Sequence, residues 1–215
     1  MSFYNQVINN LNQSSFFSNF TNQLDMGTSR IQYNHLNQSA RALLISHAWI
    51  RTQKNVIVVT SDDVVAEDFW DDLCVLIGRE NAHYLPDFEV LPYEERSPHY
   101  SIRAIRLETL VAAVSDKSQI YVLSIRTLLR WMQPKELLKK NVITLQKGQD
   151  YDPSVLISDV VGMGYEVDYQ VSKVYQVARR GGIIDIFSPP QQKPLRIEFF
   201  GDEIISIRSF SKYAF

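Results

Sequence analysis

The chain has 215 residues, with 22 Lys+Arg against 24 Asp+Glu, a formal net charge of −2, and 45% hydrophobic and 21% charged residues. That length can bury roughly 70% of the unfolded surface without help from disulfides or metal, in one large domain or two small ones, and the composition is globular rather than disordered. One cysteine, Cys74, excludes an internal disulfide framework and a cysteine zinc site and fits a reducing, cytoplasmic setting; no run reaches the roughly 18 apolar residues of a membrane span, and near-neutral charge speaks against coating nucleic acid by bulk electrostatics.

Residues 1–34 read as a peripheral N-terminal segment. Residues 1–38 hold 13 Asn or Gln, with only Asp25 and Arg30 charged. Phe3, Tyr4, Phe16, Phe17 and Phe20 recur through it, which predicts a helical segment docked on a core, frayed at its start. The basic start and apolar run of a signal peptide are missing. Val56-Ile57-Val58-Val59 predicts a strand buried on both faces. Asp62 or Asp63 then suits a helix N-cap. Val65, Phe69, Leu73 and Leu76 fall on one helix face, with Asp68, Asp71 and Asp72 mostly opposite, and Gly78 suits the stop. A strand over 82–85 leads into a Pro-punctuated loop from Pro86 to His99. Ser101 is expected to cap a helix through Val114. Another buried strand follows over 120–123, then helical patterns to Lys140 broken at Pro134. This alternation predicts an α/β domain with a parallel sheet over 35–140.

Residues 141–215 predict a small α+β domain with a mainly antiparallel sheet. A strand is expected over 142–145, then a helix opened by Asp152-Pro153 and ended at Gly164. Extended segments follow at about 165–170, 173–178, 182–187, 194–200 and 203–210. The last two flank Gly201-Asp202, which suits a type II′ hairpin.

Most chemistry is excluded by what is missing. A phosphate-binding loop needs G-x-x-x-x-G-K-[ST], because its glycines let amides wrap the phosphates and its lysine neutralises them. The corresponding stretch, 35–44, has neither Gly nor Lys and reads as a plain helix start. His35, His47, His83 and His99 show no zinc spacing. Cys74 reads as a buried small hydrophobe, and Glu94-Glu95 beside His99 as a solvated loop face. No catalytic, cofactor-binding or metal residue is therefore assigned. The informative stretch is Arg179-Arg180-Gly181-Gly182-Ile183-Ile184-Asp185-Ile186-Phe187, followed by Leu195-Arg196-Ile197-Glu198-Phe199-Phe200-Gly201-Asp202-Glu203-Ile204. Alternation sends Leu195, Ile197 and Phe199 to a core face and Arg196, Glu198 and Phe200 to the other. Arg and Phe on a solvent face suit a protein interface. Alternatively, the strand is two-sided and another element covers Phe200.

These two strands resemble the RGGIIDIF and RIEFFGDEI signature of the bacterial transcription-repair coupling factor (Mfd) family, and a relative of it occurs in the repair protein UvrB. Leu85-Pro86-Asp87-Phe88-Glu89-Val90-Leu91-Pro92-Tyr93-Glu94, then Ser97-Pro98-His99 and Arg106-Leu107, resemble the same family, as does Lys147-Gly148-Gln149. The resemblance covers roughly residues 35–215 and points to the family's N-terminal UvrB-homology region. UvrB itself has an intact P-loop and a Tyr-rich DNA-clamping hairpin after the 86–93 region. Here the loop is short, with Tyr93 and Tyr100.

The resemblance implies a degenerate P-loop-NTPase-like first domain and a second domain that binds UvrA. It assigns the contact to an Arg before the glycines and to an Arg and a Phe on the R-I-E-F-F strand, which match Arg180, Arg196 and Phe200; Arg179 is an added candidate. Two departures from the family are the lead-in Tyr175-Gln176-Val177-Ala178 and Ser188. The implied role is a non-catalytic adaptor that recruits UvrA to stalled transcription complexes in excision repair, with a UvrB-type module that binds damaged DNA as the alternative. The parent would bind RNA polymerase and duplex DNA and use ATP and magnesium in domains outside this chain. The chain is then expected to be an N-terminal fragment, with uncovered apolar surface on 35–140.

Overall fold

The computed structural model describes residues 14–88, 99–189, 191 and 193–211. Phe3, Tyr4, Tyr93, Glu94, Glu95 and most of the loop after Pro86 lie outside them. In chain order the elements are α1 (Ser15–Asp25), α2 (Gln38–Thr52), β1 (Val56–Thr60), α3 (Asp63–Ile77), β2 (Ala82–Leu85), α4 (Tyr100–Ala113), β3 (Ile120–Ser124), α5 (Ile125–Leu128), α6 (Lys135–Lys140), α7 (Pro153–Gly162), β4 (Glu166–Val167), β5 (Gln176–Arg180), β6 (Ile183–Ile186), β7 (Leu195–Phe200) and β8 (Glu203–Ser209). The chain divides into two compact units, Met1–Pro98 with Ala112–Met132 and His99–Val111 with Gln133–Phe215.

In the first unit the parallel sheet has the order β1-β3-β2. The central β3 is buried at every position, as its unbroken apolar run requires. α3 lays Ala66, Phe69 and Leu73 on the sheet. Its start is fixed by the Asp62 carboxylate, which accepts from the Val65 amide at 2.9 Å. Its end is Gly78, at φ 88°. β1 differs from the expected doubly buried strand, because Ile57 and Val59 are 63% and 44% exposed. Ile57 and Val59 project from the face opposite Val58, which packs in the core, so only one face of β1 is buried. α1 buries Phe17 and Phe20 against Leu44 of α2, and Asp25 pairs with Arg51 at 2.6 Å.

The second unit is built on a mixed sheet of order β4-β5-β6-β7-β8. β4 pairs in parallel with β5, and the remaining pairs are antiparallel. α7 packs Leu156 and Val160 on Val177, Ile184, Ile197, Phe199 and Ile204. Pro153 opens this helix and Asp152 caps it. A register shift lies opposite Glu198/Phe199. It leaves Ile205 as the extra residue, 42% exposed, so Ile204 and Ile207 both reach the core although they are three apart.

Three further expectations about the elements are corrected. Residues 142–145 form no strand; Ile143 and Leu145 still reach the core, and their alternation reflects packing without a ladder partner. Helix α4 starts at Tyr100, so Ser101 lies inside it, and the carbonyl of His99 accepts from Ile102 and Arg103. The strand expected over 165–170 is only the short β4, whose pairing with β5 ends where the Asp168 amide donates to the Val177 carbonyl at 2.9 Å.

Candidate protein-interaction face

Strand register builds one face of the second sheet. Ala178 stands opposite Asp185, Asp185 opposite Arg196, and Arg196 opposite Arg208. Directly opposed residues point to the same side, so these lie away from α7. Arg180, Glu198 and Phe200 join them by period two. The turn between β5 and β6 is Gly181-Gly182. Gly181 sits at φ 59°, and a Cβ on Gly182 would stand 2.8 Å from the Phe199 carbonyl oxygen. The glycines are therefore required by backbone geometry. At the next turn Gly201 has φ 63° while Asp202 is not left-handed, which fits the expected type II′ hairpin and not type I′.

Asp185 organises this face. It is 3% exposed within an otherwise apolar strand. Its Oδ1 accepts from Arg196 Nε at 2.7 Å and its Oδ2 from Arg196 Nη2 at 2.8 Å, a bidentate fork. Arg180 Nη2 stands 3.6 Å from the same Oδ2. Donating to the Asp185 carboxylate holds the Arg196 guanidinium even higher than its ordinary range. The Arg196 Cζ also lies 4.9 Å from the Phe210 ring centroid. Glu198 pairs with Arg208, and Phe200 is 79% exposed.

The structure thus brings Arg180 and Arg196 together on one carboxylate and puts Phe200 on the same side, uncovered by any described residue. Arg196 is not a free surface cation, because only 29% of its side chain is exposed. Arg179 points to the other side, where Nη1 donates to Ser154 Oγ at 2.8 Å. Sequence reasoning missed Asp185. Its signal was an acid inside an isoleucine run; its partner Arg196, directly opposite, is supplied only by the β6–β7 register.

Elsewhere the candidate chemistry is sparse. The first turn of α2 is capped by its own Asn37, whose Oδ1 accepts from the Ala40 amide at 2.8 Å. Among the described residues, no three His, Cys, Asp or Glu side chains are placed to hold a metal. No described helix is long and apolar enough to cross a membrane. Cys74 is half-buried rather than fully buried, and desolvation pushes its thiol up.

The family model of the UvrB interaction domain matches residues 143–214. Transcription-repair-coupling factor of Staphylococcus haemolyticus strain JCSC1435 is 30% identical over 184 residues, 86% of this chain and 16% of the relative. That of Staphylococcus aureus strain USA300 is 30% identical over 175 residues, 81% of this chain and 15% of the relative. That of Staphylococcus epidermidis strain RP62A is 28% identical over 184 residues, again 86% and 16%. The chain spans about one sixth of the length of these curated relatives. The resemblance carried by the R-G-G-I-I-D-I-F and R-I-E-F-F-G-D-E strands is thereby borne out: the chain is related to the UvrB-homology region of the transcription-repair-coupling factors, and residues 143–214 match its UvrB interaction domain.

Proposed function

We propose that this chain is a non-catalytic adaptor that binds UvrA, and so recruits it to stalled transcription complexes in transcription-coupled excision repair. The observation that carries the reading is the β5–β6–β7 face. Two arginines share a buried carboxylate there, and an aromatic ring on the same side is left in solvent. Such a surface offers planar donors for a partner carboxylate and an apolar anchor, the residue types that dominate protein interfaces. Arg180, Arg196 and Phe200 make the contact. Residues 141–215 are the UvrA-binding domain. Residues 35–140 are a UvrB-like α/β domain with a degenerate nucleotide site, supported by the glycine-free and lysine-free start of α2 and its internal cap. In a longer parent, ATP-driven DNA translocation and contacts with RNA polymerase and duplex DNA belong to other regions, and the whole works in the cytoplasm.

The test is titration calorimetry of the chain with purified UvrA. Saturable binding that weakens on Arg180→Ala supports the reading. Submicromolar binding to duplex DNA in a gel shift at physiological salt, with no UvrA binding, would instead support a UvrB-type DNA module.

A further inference from the structure

One buried acid sits where the two cations of the interaction face meet. We propose that Asp185 is a positioning residue: it fixes Arg196 in one orientation and draws Arg180 beside it, so that a partner carboxylate meets guanidiniums already in place. The proposal rests on the reading of this face as the UvrA-binding surface.

The geometry supports positioning over competition. Asp185 engages the Nε and Nη2 of Arg196 with its two oxygens. A guanidinium has five N–H donors, so three stay available for a partner. A partner acid would gain little by displacing Asp185, because a carboxylate only 3% exposed would then be buried without its main counter-charge. Holding a long side chain in its bound rotamer before association removes part of the ordering cost of binding. The pairing also manages repulsion. Arg196 and Arg208 stand directly opposite each other, an unfavourable like-charge pair, yet each has its own carboxylate, Asp185 and Glu198. Stacking of Arg196 near Phe210 restrains the same group from the side.

The test uses the full 215-residue chain and purified UvrA. Asp185→Asn keeps the shape of the side chain and removes its charge. Positioning predicts that it weakens UvrA binding roughly tenfold, about 1.4 kcal/mol. In an Arg196→Ala background the same change should weaken binding less than in the wild type, because only Arg180, 3.6 Å from the carboxylate, is then left for Asp185 to act through. A separate readout is the Arg Nε–Hε nuclear magnetic resonance signal that disappears in Arg196→Ala. It should be shifted and slowly exchanging in the wild-type chain, and averaged with the exposed arginines in Asp185→Asn. Should Asp185→Asn fail to fold, Arg196→Lys serves, since it keeps the charge but lacks the fork; positioning predicts a loss close to that of Arg196→Ala.

A folded Asp185→Asn chain with UvrA affinity within twofold of wild type would overturn the proposal. So would an Arg196 signal already averaged in the wild type, or near-wild-type binding by Arg196→Lys. The two readings fail separately. If Arg180→Ala and Phe200→Ala weaken binding while Asp185→Asn does not, the partner face stands and positioning is wrong. If the Arg196 signal depends on Asp185 but none of the face variants alters UvrA binding, positioning stands and the partner reading is wrong.

Discussion

A buried carboxylate changes what each arginine substitution reports. Among the described residues, Arg196→Ala leaves Asp185, 3% exposed, with only Arg180 at 3.6 Å. An acceptor left buried in this way costs about 1–3 kcal/mol, so the variant should be destabilised as well as weakened in binding. Arg180, 61% of whose side chain is exposed, should shift stability by no more than about 0.5 kcal/mol on truncation. Urea denaturation of the two variants checks this; equal stability would mean that the fork does not support the fold. His47 gives a second prediction. It is buried beside Phe17 and within 3.1 Å of Thr21 Oγ1. Desolvation foremost, then the Arg51 charge, lower its pKa, while Asp25 opposes them. A depressed histidine pKa means that the unfolded chain takes up the proton first. The stabilisation is therefore complete above the ordinary value of 6.5 and is lost as pH falls below it. Melting temperature should drop between pH 7.5 and 5.5 in the wild type, and drop less in His47→Gln.

At the scale of elements, the hairpins of the second sheet were the most legible part of the chain. Alternation assigned Ile197 and Phe199 to the core and Phe200 to solvent, as found, and Gly201 marked its turn. Helix α3 was readable from its Asp62 cap and Gly78 stop. The stretch 142–145 was not, because alternation records which side chains are buried and not whether a neighbouring strand supplies hydrogen bonds. The link from Asp185 to Arg180 and Arg196 was also hidden, since it depends on register between three strands. So did the bulge at Ile205, which breaks period two within β8. Gly182 offers the element-scale test. Alanine there would place its Cβ 2.8 Å from the Phe199 carbonyl oxygen, and the backbone has nowhere cheap to move because the Phe199 amide bonds back to the Gly182 carbonyl at 2.7 Å. Gly182→Ala should cost about 1–3 kcal/mol, the range of an overpacked site, measured by urea denaturation. Wild-type stability would show that the β6–β7 approach is looser than described.

At the scale of the whole molecule, binding is proposed for one sheet face and no nucleotide chemistry for the other unit. The glycine-free, lysine-free start of α2 should leave magnesium-ATP unbound in calorimetry. A Kd near 10 μM, about −7 kcal/mol, would contradict the degenerate-site reading. The central claim is that the β5–β6–β7 face binds UvrA, and Phe200 tests it most cleanly, since it is 79% exposed and supports no core. The decisive measurement is UvrA affinity of Phe200→Ala beside its melting temperature. An unchanged melting temperature and a loss of about 2 kcal/mol or more, roughly 30-fold, are expected. A folded Phe200→Ala chain that binds UvrA as tightly as the wild type would contradict that claim.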